Sequence, residues 1–148
     1  DLYLFVHRVA GLAPGLYRYD RADQSLQLLR AGDQRVVAAA LSLGQDLAGN
    51  SCVTFSMVAN FAAAMAVFGD RAYRYAHFEA GAIGQRLYLA AEALGFQSTG
   101  IGAFYDDLVQ QYLGLTPGPG QVVYHFACGY AVLDDRLVAT PEDLLSPA

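Results

Sequence analysis

The sequence predicts an α+β domain built on an antiparallel or mixed sheet flanked by helices, with one long central helix. Three observations carry this. Three short strand-like runs, Leu2–Val9, Leu16–Asp20 and Leu26–Leu29, precede any helical signal. A long helical stretch, Arg71–Leu94, follows Asp70 and stops at Gly95. Two continuous apolar runs, Cys52–Ala59 and Gln121–Val132, read as buried strands and flank it without strict strand–helix alternation.

The elements follow in order. Gly11-Leu12-Ala13-Pro14-Gly15 is a turn between the first two strands, and Asp20–Ser25 a polar turn between the next two. Together they predict an antiparallel meander. Asp33 fits a helix N-cap, with Val36, Val37, Ala40 and Leu41 at helical spacing behind it. After the Cys52–Ala59 strand, the Ala-rich run Phe61–Phe68 suits a short helix that Gly69-Asp70 ends. Asp70 then caps the long helix and Gly95 takes the C′ position. At 1.5 Å per residue its roughly 24 residues span about 36 Å. Gln97–Phe104 is an extended, glycine-containing segment, and Asp106 or Asp107 starts a short helix that Gly114 ends. Thr116–Gly120 is a turn cluster before the last strand. The predicted order is βββ-α-β-αα-β-α-β, with residues 1–133 as one domain and 134–148 as a C-terminal tail or arm.

The chain has 148 residues, 55% of them hydrophobic and 16% charged. That composition excludes disorder, and it points to apolar surface shared with a partner chain. The net charge is −5, and all nine basic residues are Arg. An acidic chain without Lys is a poor nucleic-acid binder and has no amine for Schiff-base chemistry. No apolar run reaches the ~20 residues of a membrane helix. Cys52 and Cys128 sit in apolar runs and read as reduced, buried thiols, consistent with a cytoplasmic setting. The chain opens as a strand already under way, without an initiator Met, which reads as a fragment, a processed piece or half of a longer fold.

Four features carry candidate chemistry. Along the long helix Tyr73, His77, Ala80, Gly84, Leu87, Ala91 and Leu94 share a face, and Ala76, Ala80 and Gly84 form a small-residue stripe. Gly81 and Gly84 each cost about 1 kcal/mol inside a helix. Close helix–helix packing, a second backbone or a flat ligand would offset that cost. Gly100-Ile101-Gly102 lets backbone N–H groups approach a planar ligand, but it is not a dinucleotide-binding fingerprint. Gly69–Tyr75 gathers Arg71, Arg74, Tyr73 and Tyr75 at a helix start, which reads either as a solvated first turn or as a contact for an anionic or aromatic ligand. His7, His77 and His125 lack metal-ligand spacing, so no metal site is expected. His125, alternating within a buried strand, reads as a core residue.

The segments Gly69–Tyr75, Glu79-Ala80-Gly81, Gly84-Gln85, Leu87–Gly95, Gly100–Asp107 and Leu113-Gly114-Leu115 form one continuous pattern. Arg8-Val9, Gly11-Leu12 and Pro14–Asp20 extend it to the opening strands. The pattern resembles the nitroreductase-like flavoproteins, in their SagB/ThcOx-type dehydrogenase subgroup, over residues 1–133. The resemblance implies a nitroreductase-like fold that binds FMN between the subunits of a homodimer. It implies hydride transfer at flavin N5, in a subgroup that oxidises azolines of modified peptides to thiazoles or oxazoles. On this resemblance Gly100, Ile101, Gly102 and Ala103 line the flavin ring, and Arg136 reaches its phosphate. Arg71, Tyr73, Arg74 and His77 then face the substrate, a peptide or NAD(P)H.

Three departures accompany the resemblance. The family's N-terminal segment, with its phosphate-gripping Arg/Ser cluster, is absent, so either a second chain supplies it or this piece holds FMN poorly. Val67 and Phe68 stand where the subgroup places a Lys-Tyr pair. Ala82 and Arg86 replace a frequent His and Asn. The leading expectation is an FMN-dependent oxidoreductase. The alternatives are a catalytically silent scaffold of the same fold and a generic NAD(P)H-dependent nitro or quinone reductase.

Overall fold

The computed structural model describes residues 1–132. Its centre is a six-stranded sheet in the order β3-β2-β1-β4-β6-β5. The strands are β1 (Leu2–Val6), β2 (Gly15–Asp20), β3 (Ser25–Ala31), β4 (Val53–Asn60), β5 (Gln97–Ile101) and β6 (Gly120–Gly129). Every neighbouring pair is antiparallel, which settles the antiparallel-or-mixed alternative. The helices are α1 (Arg35–Leu41), α2 (Asp46–Asn50), α3 (Phe61–Phe68), α4 (Ala72–Ala93) and α5 (Asp106–Leu113). The α+β reading with a long central helix therefore holds.

Strand alternation divides the core between the two faces of the sheet. Tyr3, Phe5, Leu16, Val122 and Ala127 pack with Ala38 and Leu41 of α1, Ala48 of α2, and Val109 and Leu113 of α5. Met57 and Phe126 pack on the other face with Ala80 of α4, joined by Phe55, Leu87, Val123 and Tyr124. The β4–β6 register shifts between Met57 and Val58, where Met57 faces Tyr124 and Val58 faces Val122. That irregularity lets the consecutive residues Val123 and Tyr124 both pack toward α4.

Local signals differ from expectation at three places. The five-residue helix α2 was not foreseen. Asp33 accepts the Arg35 backbone N–H at 2.9 Å, as a capping side chain does, although α1 itself begins at Arg35. Asp70 does not cap α4, because Gly69–Arg71 forms a 3₁₀ turn and α4 starts after Arg71 with no side-chain cap. The other end is as expected. Gly95 sits at φ +74, its N–H donates to Glu92 O at 3.1 Å, and the Phe96 N–H donates to Ala91 O at 2.8 Å. This left-handed turn sends the chain straight back as β5. The expected phosphate contact of Arg136 and the expected tail at 134–148 lie outside the described residues.

Candidate functional site

The glycine segment after α4 divides between sheet and loop. Among the described residues β5 is an edge strand that pairs only with β6, from Gln97 opposite Gly129 to Ile101 opposite His125. Gly100 lies opposite Phe126, and its N–H donates instead to the Tyr88 phenolic oxygen at 2.7 Å. Ile101 is buried in the core beneath. Gly102 and Ala103 emerge exposed, and their N–H groups have no partner among the described residues. A Cβ at Gly102 would meet nothing within 4 Å.

The turn joining α1 to α2 pins this loop from below. Gln45 Nε2 donates to Ala103 O at 3.0 Å and to Ser42 O at 2.8 Å. The Tyr105 N–H donates to Leu41 O at 2.9 Å. Between these anchors the Phe104 ring stacks on His125 at 4.5 Å. His125 Nδ1 and Ser42 Oγ share a hydrogen bond of 3.2 Å. Burial drives the His125 pKa down to about 4, so the imidazole is neutral at pH 7. Its Nε2 and the Oγ of Ser56, its register partner on β4, are buried without a hydrogen bond.

The small-residue stripe meets a side chain of the sheet. A Cβ at Gly84 would lie 2.8 Å from Tyr124 Cε1, and one at Gly100 would overlap the Tyr124 hydroxyl. The Tyr124 ring is thus wedged between helix and edge strand, and it is this ring that makes glycine necessary at both positions. Gly81, by contrast, has open space before it. Burial first, and Tyr88 second, push the Tyr124 phenol up, so it stays protonated.

The predicted substrate residues form two groups at the other end of α4. Arg71 and Arg74 line an open hollow of about 450 Å³ with Asp70 and Tyr75. Tyr73 stacks on Phe61 at 5.5 Å and lies against His77 at 4.4 Å. Tyr88 lies fifteen positions along the helix from Tyr73, about 22 Å along the axis. No hydrogen bond or ring contact among the described residues joins Arg71, Tyr73, Arg74 or His77 to the Gly100–Ala103 loop.

Sequence reading missed a third region. A cavity of about 840 Å³ lies at the opposite end of β5, lined by Arg8, Cys52, Ser98, Cys128 and Tyr130 among others. The Cys52 N–H donates to Cys128 O at 2.8 Å, and burial, then Cys52, push the Cys128 thiol up. Nothing in the spacing of two cysteines 76 positions apart (128 minus 52) signals this meeting. Among the described residues no three His, Cys, Asp or Glu side chains gather as a metal site, and no helix is long and apolar enough to cross a membrane.

The sequence pattern of the Nitroreductase family matches residues 2–130. The chain belongs to the nitroreductase family. A protein of Methanocaldococcus jannaschii, provisionally named a nitroreductase, is 31% identical over 121 residues, covering 80% of this chain and 60% of that protein. The crystal structure of an Anabaena variabilis protein, also provisionally named a nitroreductase, superposes with a TM-score of 0.83 at 37% identity. It covers 88% of this chain and 27% of its own. The fold recurs in the Escherichia coli microcin synthetase McbBCD complex with truncated pro-MccB17 bound, with a TM-score of 0.74 at 19% identity. That match covers 90% of this chain and 52% of its own. The chain thus spans between 27% and 60% of the length of these relatives.

Proposed function

We propose that this nitroreductase-family oxidoreductase uses FMN and holds the flavin ring at the loop after β5. The observation that carries the reading is the pair of exposed N–H donors at Gly102 and Ala103, unpartnered among the described residues. Both residues are exposed, on a loop anchored through Ala103 O, Phe104 and Tyr105. Fixed backbone donors of this kind suit the carbonyl oxygens and ring nitrogens of a flat heterocycle. When bound, FMN supplies two-electron chemistry through N5 of its ring.

This chain's residues bind and orient. Gly102 and Ala103 donate to the ring. Ile101 and Phe104, on either side of them, keep the loop from yielding. Gly100 contributes shape only, because Tyr88 already takes its N–H. Arg136 is assigned to the phosphate on resemblance and lies outside the described residues. Arg71, Tyr73, Arg74 and His77 serve the substrate of a second copy. Phe78, Tyr73 and Leu89 on α4 are 65%, 66% and 62% exposed. Such apolar exposure on the longest helix supports pairing with another chain. In an antiparallel pairing of two α4 helices, the Arg71–His77 end of one approaches the loop end of the other.

For substrate, the resemblance to the azoline-oxidising subgroup favours a heterocyclised peptide. Val67 and Phe68 offer no titratable group at the subgroup's Lys-Tyr positions, so a proton must come from another residue or from water. The test is titration of the purified protein with FMN, followed through the flavin absorption bands. Saturable binding, then turnover of an azoline peptide or of NAD(P)H with a quinone, supports the reading and selects the substrate. No binding at any flavin concentration overturns it.

A further inference from the structure

The outer edge of β5 carries a contact with a consequence for the loop beyond it. On an edge strand, alternate N–H groups point away from the sheet and lack a ladder partner. Gly100 presents such an N–H, and Tyr88 of α4 reaches across to accept it at 2.7 Å. The Tyr88 ring also packs edge-on to Phe126 of β6, at 4.8 Å and 81°. Tyr124 fills the remaining gap between Gly84 and Gly100. Two tyrosines, one from α4 and one from β6, therefore set where β5 lies relative to the helix.

We propose that Tyr88 is a positioning residue for the flavin loop. Its hydroxyl fixes Gly100, and through Gly100 it fixes the direction in which the Gly102 and Ala103 N–H groups point. The inference rests on the flavin reading above and adds to it a residue on a different element. Only Ile101 separates Gly100 from Gly102, so a small rotation at Gly100 re-aims both donors. Without the hydroxyl, Gly100 is free to turn its N–H toward solvent. Tyr88 is 37% exposed and its ring keeps the Phe126 contact in a Phe variant, so the change removes one hydrogen bond and little packing.

The experiment compares the full chain with its Tyr88→Phe variant in three readouts. Loss of one hydrogen bond corresponds to roughly a five- to tenfold rise in FMN Kd. The visible flavin spectrum of the bound form shifts, because the donors to the ring are re-aimed. Amide hydrogen exchange across Gly100–Ala103 in the flavin-free chain speeds up, while exchange in β4 is unchanged. A variant with wild-type FMN affinity, spectrum and exchange overturns the proposal while leaving the flavin reading intact. If the wild-type chain binds no FMN, the flavin reading fails, and the loop-positioning role is then decided by exchange alone. Faster exchange at Gly100–Ala103 in the variant sustains that role, and equal exchange ends it.

Discussion

The imidazole of His125 lies face to face with the ring of Phe104, 4.5 Å between centroids and 14° between planes. His125 belongs to the centre of β6 and is 1% exposed. Phe104 directly follows Gly102 and Ala103, the two donors of the candidate flavin loop that have no partner among the described residues. The stack therefore joins a deeply buried titratable group to the exposed backbone of the candidate loop.

Acid should loosen this arrangement. Burial lowers the His125 pKa from 6.5 to about 4, so the unfolded chain takes up a proton at higher pH than the folded chain. The stability linked to His125 is present above pH 6.5 and is lost as pH falls toward 4. The full loss is on the order of 3 kcal/mol. His7 is shifted the same way, again chiefly by burial, and adds to the trend. In urea unfolding, His125→Phe should lose about 2 kcal/mol less than wild type between pH 7.5 and pH 5. An identical pH dependence in both proteins would mean that His125 is not the group responsible.

Gly102 and Gly100 should respond oppositely to added side chains. Gly102→Val meets no atom of the chain within 4 Å, so thermal stability should be nearly unchanged while FMN binding is lost. Gly100→Ala drives a methyl into Tyr124 and should cost about 1–3 kcal/mol whether or not flavin is present. Adding Tyr124→Ala should relieve part of that cost, a coupling that a double-mutant cycle measures. Unchanged FMN affinity in Gly102→Val would remove the loop from the binding site.

Arg71 and Arg74 should act on substrate rather than on stability. The ion pairs among the described residues are Arg18–Asp1 and Arg35–Asp33, and neither involves these two side chains. Replacing Arg71 or Arg74 with Gln should leave the melting temperature unchanged. It should raise KM for an anionic substrate about tenfold, with little change in kcat, because the lost contact is made equally in ground and transition states. Steady-state kinetics at two salt concentrations check this, since an electrostatic contact weakens with salt.

The exposed face of α4 should govern assembly. Phe78→Glu with Leu89→Glu places two charges on its apolar surface. Multi-angle light scattering should show a smaller species than wild type at micromolar concentration, with circular dichroism unchanged. A wild-type chain already monomeric under those conditions would contradict pairing through α4.

Much of the fold was legible because it is written in local pattern. The runs Leu2–Val6 and Val53–Asn60 are strands since apolar and β-branched residues recur there, and α4 ends where Gly95 supplies a left-handed turn. Helix α2 was not legible, since five residues, Asp46–Asn50, are too few to show a period and include a glycine. The Gly100–Ala103 segment was legible as a place of close backbone approach. Which of its donors are already used was not, because Tyr88 comes from another element.

Sequence alone established the order of the strands and of the helices other than α2, the family resemblance and the glycines that bracket the candidate site. Each depends on neighbours along the chain, where spacing and turn chemistry are set within a few residues. Tertiary structure decided what those glycines face. Tyr124 comes from a strand 40 positions beyond Gly84 (124 minus 84) and fills the space a Cβ would need. Tyr88 removes one donor from the loop, and the Ser42–Gln45 turn holds the loop in place. These contacts exist only after the sheet has brought β5, β6 and α4 together, and no local period encodes which side chain arrives there.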